Sequence, residues 1–152
     1  MKKTTLLVFA VTASFAAAPS HAEVDAAMCA GFDEAAKLPK EQDAVSAAPE
    51  NHRVLLENED MRVLEVIVRP GEHETLHHHR WPSVMIVDEL PKFVNYDKDG
   101  NEIKSSAQTQ ERPEMPVVMR IPPQVILHSI HNTGSKPFHA IRIEYKRACP
   151  GQ

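Results

Sequence analysis

From Arg53 onward, the chain is a succession of short segments rich in β-branched residues, separated by Pro, Gly, Asn and Asp. This pattern is typical of strands joined by turns. In the segment 62–68, strict alternation places Leu64, Val66 and Val68 on one face. About eight such segments with no convincing helix between them predict an all-β sandwich or barrel. The predicted strands are Arg53–Glu57, Met61–Arg69, Thr75–His79, Ser83–Val87, Lys92–Tyr96, Val117–Ile121, Val125–His131 and Phe138–Lys146.

The first 22 residues have the features of a Sec-type signal peptide. Lys2 and Lys3 supply the charged start, residues 6–18 are almost uniformly apolar, and small residues precede a cleavage site after Ala22. The apolar run is too short to span a bilayer. We therefore expect a periplasmic or secreted protein.

The remaining chain is long enough for one core and too short for two domains. Residues 23–50 are predicted to form an N-terminal segment or linker, with a short helix over about 25–37 that ends before Pro39. Residues 51–148 form the predicted β domain. The formal net charge is −4, and −6 once Lys2 and Lys3 are removed, with no basic stripe. Nucleic acid and anionic membranes are therefore not expected partners.

Two cysteines, Cys29 and Cys149, lie near the two ends of the chain. In an exported protein, such a pair is more often a structural disulfide than a redox or metal site, and no C-x-x-C motif is present. We expect the two to pair, with free or intermolecular thiols as the alternative.

Three histidines carry the strongest functional signal. His77 and His79 are two residues apart, so on a strand their side chains point to the same face. His128 follows about fifty residues later. Three imidazoles from neighbouring strands can hold a transition metal and leave coordination positions open. The alternative is that these histidines only fill a polar barrel mouth.

The segments around these histidines resemble the two motifs of the cupin superfamily. PGEHETLHHHRWPSV resembles the first motif, with Gly71 followed six residues later by the His77-x-His79 pair. PPQVILHSIHN resembles the second, with Pro123, His128 and Asn132 in place. The resemblance covers about residues 53–146 and implies a single jelly-roll β-barrel with a metal held by His77, His79 and His128.

The sequence departs from the cupin pattern in two places. The Glu of the first motif should fall near position 83 or 84, where this chain has Ser83 and Val84. Val125 stands where the second motif has Gly. Some cupins use three histidines alone, so the resemblance still implies a metal site. Without the Glu, the charge of a divalent ion favours an anionic ligand or bound hydroxide.

Other polar residues are candidates for roles around the metal. Glu72, His73 and Glu74 lie in the turn after Gly71, where one of them could act as a replacement ligand or general base. Trp81 could form a wall of the site or a plug in the core. The further candidates for contact with the metal ligands or the substrate are Ser83 and His139, with a half-buried structural histidine as the alternative for His139. His78 and His131 have the opposite parity to the ligands, and we expect them at the surface or an interface.

The predicted function is a periplasmic metalloprotein acting on a small molecule. Three histidines do not distinguish iron, manganese, zinc, copper and nickel. The leading hypothesis is an enzyme of dioxygenase or isomerase type. The alternatives are a non-catalytic module that binds a metal or a ligand, and a structural domain that forms a homodimer through outward residues such as Val63 and Ile67.

Overall fold

The computed structural model describes residues 26–104 and 114–150. The predicted signal peptide and its cleavage site lie outside the described residues. Four short helical segments precede seven strands. The helical segments are two 3₁₀ turns, Ala26–Cys29 and Lys40–Gln42, and two α-helices, α1 (Phe32–Ala35) and α2 (Ala44–Ala47). The strands are β1 (His52–Glu57), β2 (Met61–Val68), β3 (Ser83–Glu89), β4 (Phe93–Asp97), β5 (Val117–Ile121), β6 (His128–Asn132) and β7 (Phe138–Tyr145).

The strands form two antiparallel sheets. One has five strands in the order β1-β2-β7-β3-β5, and the other pairs β4 with β6. The all-β class predicted from the sequence is therefore confirmed. However, the described residues form two separate sheets rather than one closed barrel.

Seven of the eight predicted strands are present, and the exception is Thr75–His79. That segment has isolated bridges from His77 to His128 and from His78 to Asp43, and its His79 carbonyl accepts from the Gln124 amide at 2.9 Å. It thus runs between β6 and the N-terminal segment instead of extending a sheet. Its backbone still bonds to β6, because the His77 and His128 amides each donate to the other's carbonyl, at 2.9 and 2.8 Å.

The inner face of the five-stranded sheet has an apolar half and a polar half. The alternation of β2 and β7 buries every second residue of each strand. The apolar half is the hydrophobic core, made of Leu64, Val66, Val68, Val87, Phe138 and Ala140. At the other end of the same strands, the inward positions are polar: Arg62, Ser83, Arg142 and Glu144.

The N-terminal segment packs against the β-strands. Met28, Ala35 and Ala44 are buried, and the Ala44 amide donates to the His78 carbonyl at 3.0 Å. Cys29 and Cys149 form a disulfide with a Cα–Cα distance of 5.5 Å, as expected from the sequence. No helix in the described part of the chain has the length and apolarity to cross a bilayer.

Candidate metal centre

Four buried histidines come together in the interior. His77 and His79 belong to the irregular segment before β3, His128 begins β6 and His52 begins β1. Their exposed fractions lie between 1% and 7%. The His77 ring lies 4.5 Å from the rings of both His52 and His128, measured between centroids. One ring nitrogen from each of His52, His77 and His79 lies within 4.8 Å of the other two, a spacing that could hold a metal ion. His128, the third ligand predicted from the sequence, is not in this group among the described residues, and its ring centroid lies 6.0 Å from that of His79.

The Nδ1 atom of each histidine faces a hydrogen-bond acceptor. The partners are the Ala48 carbonyl for His52 at 3.1 Å, the Thr75 carbonyl for His77 at 2.8 Å, a Glu144 carboxylate oxygen for His79 at 2.7 Å and the Asn95 side-chain oxygen for His128 at 3.1 Å. Because these oxygens only accept, Nδ1 carries the proton and Nε2 carries the lone pair. A partner of this kind is the usual support of a metal-binding histidine.

Burial keeps the four imidazoles neutral. It lowers the pKa of His52 to about 3 and that of His77 to about 4. Burial also holds the pKa values of His79 and His128 well below the usual value, and the nearby Arg142 adds to both effects. Only neutral imidazole binds a metal. All four side chains are therefore in the form that a metal requires at neutral pH.

Two ring nitrogens in this cluster are buried without partners. The Nε2 atoms of His77 and His128 make no hydrogen bond to any described residue. Leaving a buried polar atom unpaired costs free energy, so such atoms call for an explanation. The free Nε2 atoms and the all-nitrogen donor set fit a divalent transition metal.

A buried ionic network supports His79. The two Glu144 oxygens separately accept from His79 Nδ1 at 2.7 Å and Arg62 Nε at 2.6 Å. Asp43, from the N-terminal segment, accepts from both terminal nitrogens of Arg62 at 2.8 and 3.2 Å. The guanidinium of Arg62 also lies 4.7 Å from the centre of the Trp81 ring, so Trp81 covers this network. The network fixes the carboxylate that orients His79.

Glu74 lies between the histidines and a surface cleft. One of its carboxylate oxygens accepts from the Ile130 amide, and the other lies 4.0 Å from His52 Nε2 without a hydrogen bond. Burial raises the pKa of Glu74 to about 8. Glu74 also lines a cleft of about 410 Å³ together with Tyr96, Lys98 and Ser129. Of the three candidates in the turn after Gly71, it alone approaches the cluster.

The other two residues of that turn have partners elsewhere. Glu72 accepts from the Arg69 amide at 2.7 Å. His73 lines the cleft, bonds to the Ser129 hydroxyl at 3.0 Å and stacks on His131. These contacts assign both residues to the turn and the cleft.

The remaining candidates are divided between the two faces of the sheet. Ser83 points inward, is fully buried and has a hydroxyl without a partner among the described residues. His139 lies on the outer face, where it contacts Asp88 and Glu65. The inward face of β7 carries the two fully charged residues of the strand. Its residues are Phe138, Ala140, Arg142 and Glu144.

The sequence reasoning missed His52 and misplaced His78. His52 lies outside both motifs, and its pairing with Val66 on β2 turns its side chain inward. No local signal separates it from the linker before it. His78 does point away from the cluster, as its parity predicts, but the expected surface position is wrong. It is 1% exposed, and its Nε2 contacts the Pro39 carbonyl because the N-terminal segment covers it.

Comparison with solved structures found cupins. A cupin domain from Bordetella pertussis Tohama I is 19% identical, and the match covers 62% of this chain and 91% of that one with a TM-score of 0.47. An RmlC-like cupin with a double-stranded β-helix fold, from Methanocaldococcus jannaschii, is 12% identical over 62% of this chain and 77% of that one, with a TM-score of 0.42. A protein from Klebsiella pneumoniae with a double-stranded β-helix domain is 16% identical over 76% and 81%, also at 0.42.

Neither a scan against protein-family models nor a search of curated proteins found a match. The described residues have an all-β fold of two antiparallel sheets, and these solved cupins are structures to which the chain is similar.

Proposed function

We propose that this protein is an exported cupin that binds a divalent transition metal and acts on a small molecule. The metal would be held by His77 and His79, with His52 and His128 completing the set. The observation that carries this proposal is the shared arrangement of the four histidines, in which each Nδ1 faces an acceptor and each imidazole is buried and neutral. A protein exported through the Sec system crosses the membrane unfolded, so it would acquire its ion after export.

A divalent ion at this position would supply Lewis-acid or oxygen-activating chemistry, as in dioxygenase- or isomerase-like enzymes. The protein would supply the setting. Thr75, Ala48 and Asn95 hold three imidazoles in the binding tautomer, and Glu144 holds the fourth. The nearly complete burial of the four rings excludes bulk water from them.

Glu74 supports a reactive role for the site. Its free carboxylate oxygen lies near His52, while the same residue lines the cleft. A carboxyl group with a raised pKa in this position can accept or donate a proton near neutral pH. It would link a molecule in the cleft to the histidines.

A non-catalytic binding module is the second candidate function. The four imidazoles are between 1% and 7% exposed, and none of them lines the cleft. A site closed to this degree suits the retention of a metal as well as it suits turnover.

Metal binding by histidine variants tests the proposal. We expect wild-type protein, freed of metal with a chelator and dialysed against zinc, to retain one ion per chain. His77→Ala should abolish binding because this ring lies closest to both His52 and His128. His52→Ala and His128→Ala should each lower the affinity for zinc by roughly tenfold or more, because each removes one residue that binds the metal directly. His139→Ala, on the outer face, is the matched control.

Unchanged zinc content in His77→Ala would contradict the proposal. If His128→Ala loses zinc while His52→Ala retains it, the site consists of the three motif histidines alone. Turnover by protein reconstituted with iron, manganese, copper or zinc in a substrate panel would favour the enzyme. Tight ligand binding without turnover would favour the binding module.

A further inference from the structure

Two buried arginines lie close together on the inner face, and they differ in how many of their nitrogens make hydrogen bonds. Arg62 uses Nε and both terminal nitrogens in bonds to Glu144 and Asp43. Arg142 is 3% exposed, yet its Nε and Nη2 atoms make no hydrogen bond to any described residue. Its Nε lies 3.6 Å from the nearer Glu144 oxygen, too far for a hydrogen bond. Burial lowers the pKa of Arg142 to about 10, which leaves it charged at neutral pH. Arg142 thus has a long ion pair with Glu144, while two of its buried donor nitrogens make no hydrogen bond to any described residue.

Ser83 presents a second unpaired donor beside Arg142. On β3, Ser83 lies opposite Glu144 and Met85 lies opposite Arg142, so Ser83 and Arg142 are diagonal neighbours on the inner face. Side chains at such positions are within reach of each other when one of them is long. The Ser83 hydroxyl is fully buried and bonds to no described residue.

Position 83 is also one of the two positions, 83 and 84, at which the first cupin motif can place its Glu. Serine is much smaller and carries no charge. This chain therefore has a buried hydroxyl on the inner face where that motif can place a carboxylate.

The charges of the interior also favour an anion. Asp43 and Glu144 balance Arg62 and Arg142, so a divalent ion at the histidines would add two positive charges, of which Glu74 could offset one. Arg142 interacts electrostatically with His52, His77, His79 and His128, which places its charge beside the ion's site. An anionic group in this space would be attracted by both.

We propose that Arg142 and Ser83 form a subsite for the carboxylate of a small ligand, which takes the place of the missing Glu beside the histidines. The inference rests on the proposed function, because it assigns that site its ligand class. Carboxylate is the favoured group because guanidinium binds it through two parallel hydrogen bonds, and the hydroxyl supplies another donor.

The test measures binding of formate, acetate and oxalate by calorimetry and by thermal shift. Formamide, acetamide and oxamide serve as uncharged counterparts. Each titration is done on zinc-loaded protein and on protein freed of metal with a chelator. We expect at least one carboxylate to bind zinc-loaded wild-type protein and its amide not to bind.

Three variants and a control locate the subsite. Arg142→Met should lower carboxylate affinity by roughly tenfold to a hundredfold while zinc content stays at the wild-type level, because a charge-assisted bond is lost and the histidines are intact. Ser83→Ala should lower the affinity by a few-fold. Ser83→Glu should abolish carboxylate binding and tighten zinc binding, since it restores the motif carboxylate. Arg53→Gln, on the exposed edge strand, should change nothing.

Carboxylate affinity that survives both Arg142→Met and Ser83→Glu would overturn the inference and leave the metal site standing. Failure of all three carboxylates to bind zinc-loaded wild-type protein would overturn it as well. If wild-type protein binds no zinc, the proposed function fails. The titrations of metal-free protein then test the subsite by themselves. Carboxylate binding by wild-type protein that is lost in Arg142→Met supports the subsite, and no carboxylate binding by wild-type protein refutes it. If Arg142→Met fails to fold, Ser83→Glu is the deciding variant. Loss of its carboxylate binding supports the subsite, and retained binding overturns it.

Discussion

The two halves of one sheet face show how the same alternation can produce a core and a site. In the apolar half, Val66, Val68 and Phe138 pack together and leave no polar side-chain atom to satisfy. In the polar half, Arg62, Arg142 and Glu144 occupy the equivalent inward positions of the same strands. The strands and their register are shared, so the difference lies entirely in the side chains. One half secures the sheet, and the other holds charges and donors beside the histidines.

Neutralising Glu144 should have the largest effect, because stability and metal binding would fall together. Glu144→Gln leaves the buried Arg62 and Arg142 with only Asp43 as a counter-charge, which should cost about 3–5 kcal/mol of unfolding free energy. It also weakens the acceptor of His79, so zinc affinity should fall roughly tenfold to a hundredfold. Urea denaturation and zinc titration measure the two losses. Glu65→Gln, on the outer face, should leave the unfolding free energy close to the wild-type value, because solvent screens an exposed ion pair. Equal behaviour of the two variants would remove the distinction between the two faces.

Truncating the core should affect stability alone. Phe138 is 2% exposed and meets Phe93 edge-to-face at 5.9 Å between ring centres. Phe138→Ala should cost about 3–5 kcal/mol through lost burial and a cavity. Zinc bound per folded chain should stay at the wild-type value, because the histidines lie in the other half. If Phe138→Ala binds less zinc under conditions in which it is fully folded, the two halves are coupled.

Acid should lower the unfolding free energy through the titratable groups of the polar half, whereas the apolar half has no group that titrates. In metal-free protein, the folded pKa values of His52 and His77, about 3 and 4, lie below the usual 6.5. The unfolded chain therefore binds more protons, and their contribution is complete above pH 6.5 and lost as pH falls toward 4 and 3. Each group should cost about 1.4 kcal/mol per pH unit across that window.

Glu74 has the opposite sign in the same titration. Its folded pKa of about 8 exceeds the usual 4.5, so its contribution is complete below pH 4.5 and lost as pH rises toward 8. Burial also raises the pKa of Glu144, and the four histidines outweigh these two carboxyl groups between pH 6.5 and 4.5. Denaturation of metal-free protein at several pH values should thus show falling stability on acidification. A flat profile would contradict the buried, neutral state of the cluster.

The sequence predicted much of the apolar half and only part of the polar half. The alternation in β2 places Leu64, Val66 and Val68 inward because an uninterrupted strand with one apolar face has little choice of register. In β7, alternation alone does not identify the inner face. The apolar side chains of Ile141 and Ile143 suggest that their face points inward, but in the structure the face of Arg142 is the buried one.

The reason for the β7 result lies in pairing across long sequence separations. Arg62 and Glu144 are 82 residues apart, and each makes the other's burial tolerable. A single strand read in isolation shows neither partner. The same holds for His52, whose inward position follows from its register with β2 and lies outside both motifs. His77 and His79 were identifiable from their local spacing and His128 from the residues of its own motif, and their role as ligands stays a prediction.

The most direct test of the central claim is an X-ray absorption spectrum of the zinc-loaded protein. We expect one zinc per chain, surrounded by imidazole nitrogens at about 2.0–2.1 Å, with no sulfur ligand. His52→Ala and His128→Ala should each remove one imidazole from the spectrum. An ion surrounded only by oxygen, or one whose imidazole count is unchanged in both variants, would contradict a metal centre at the four histidines.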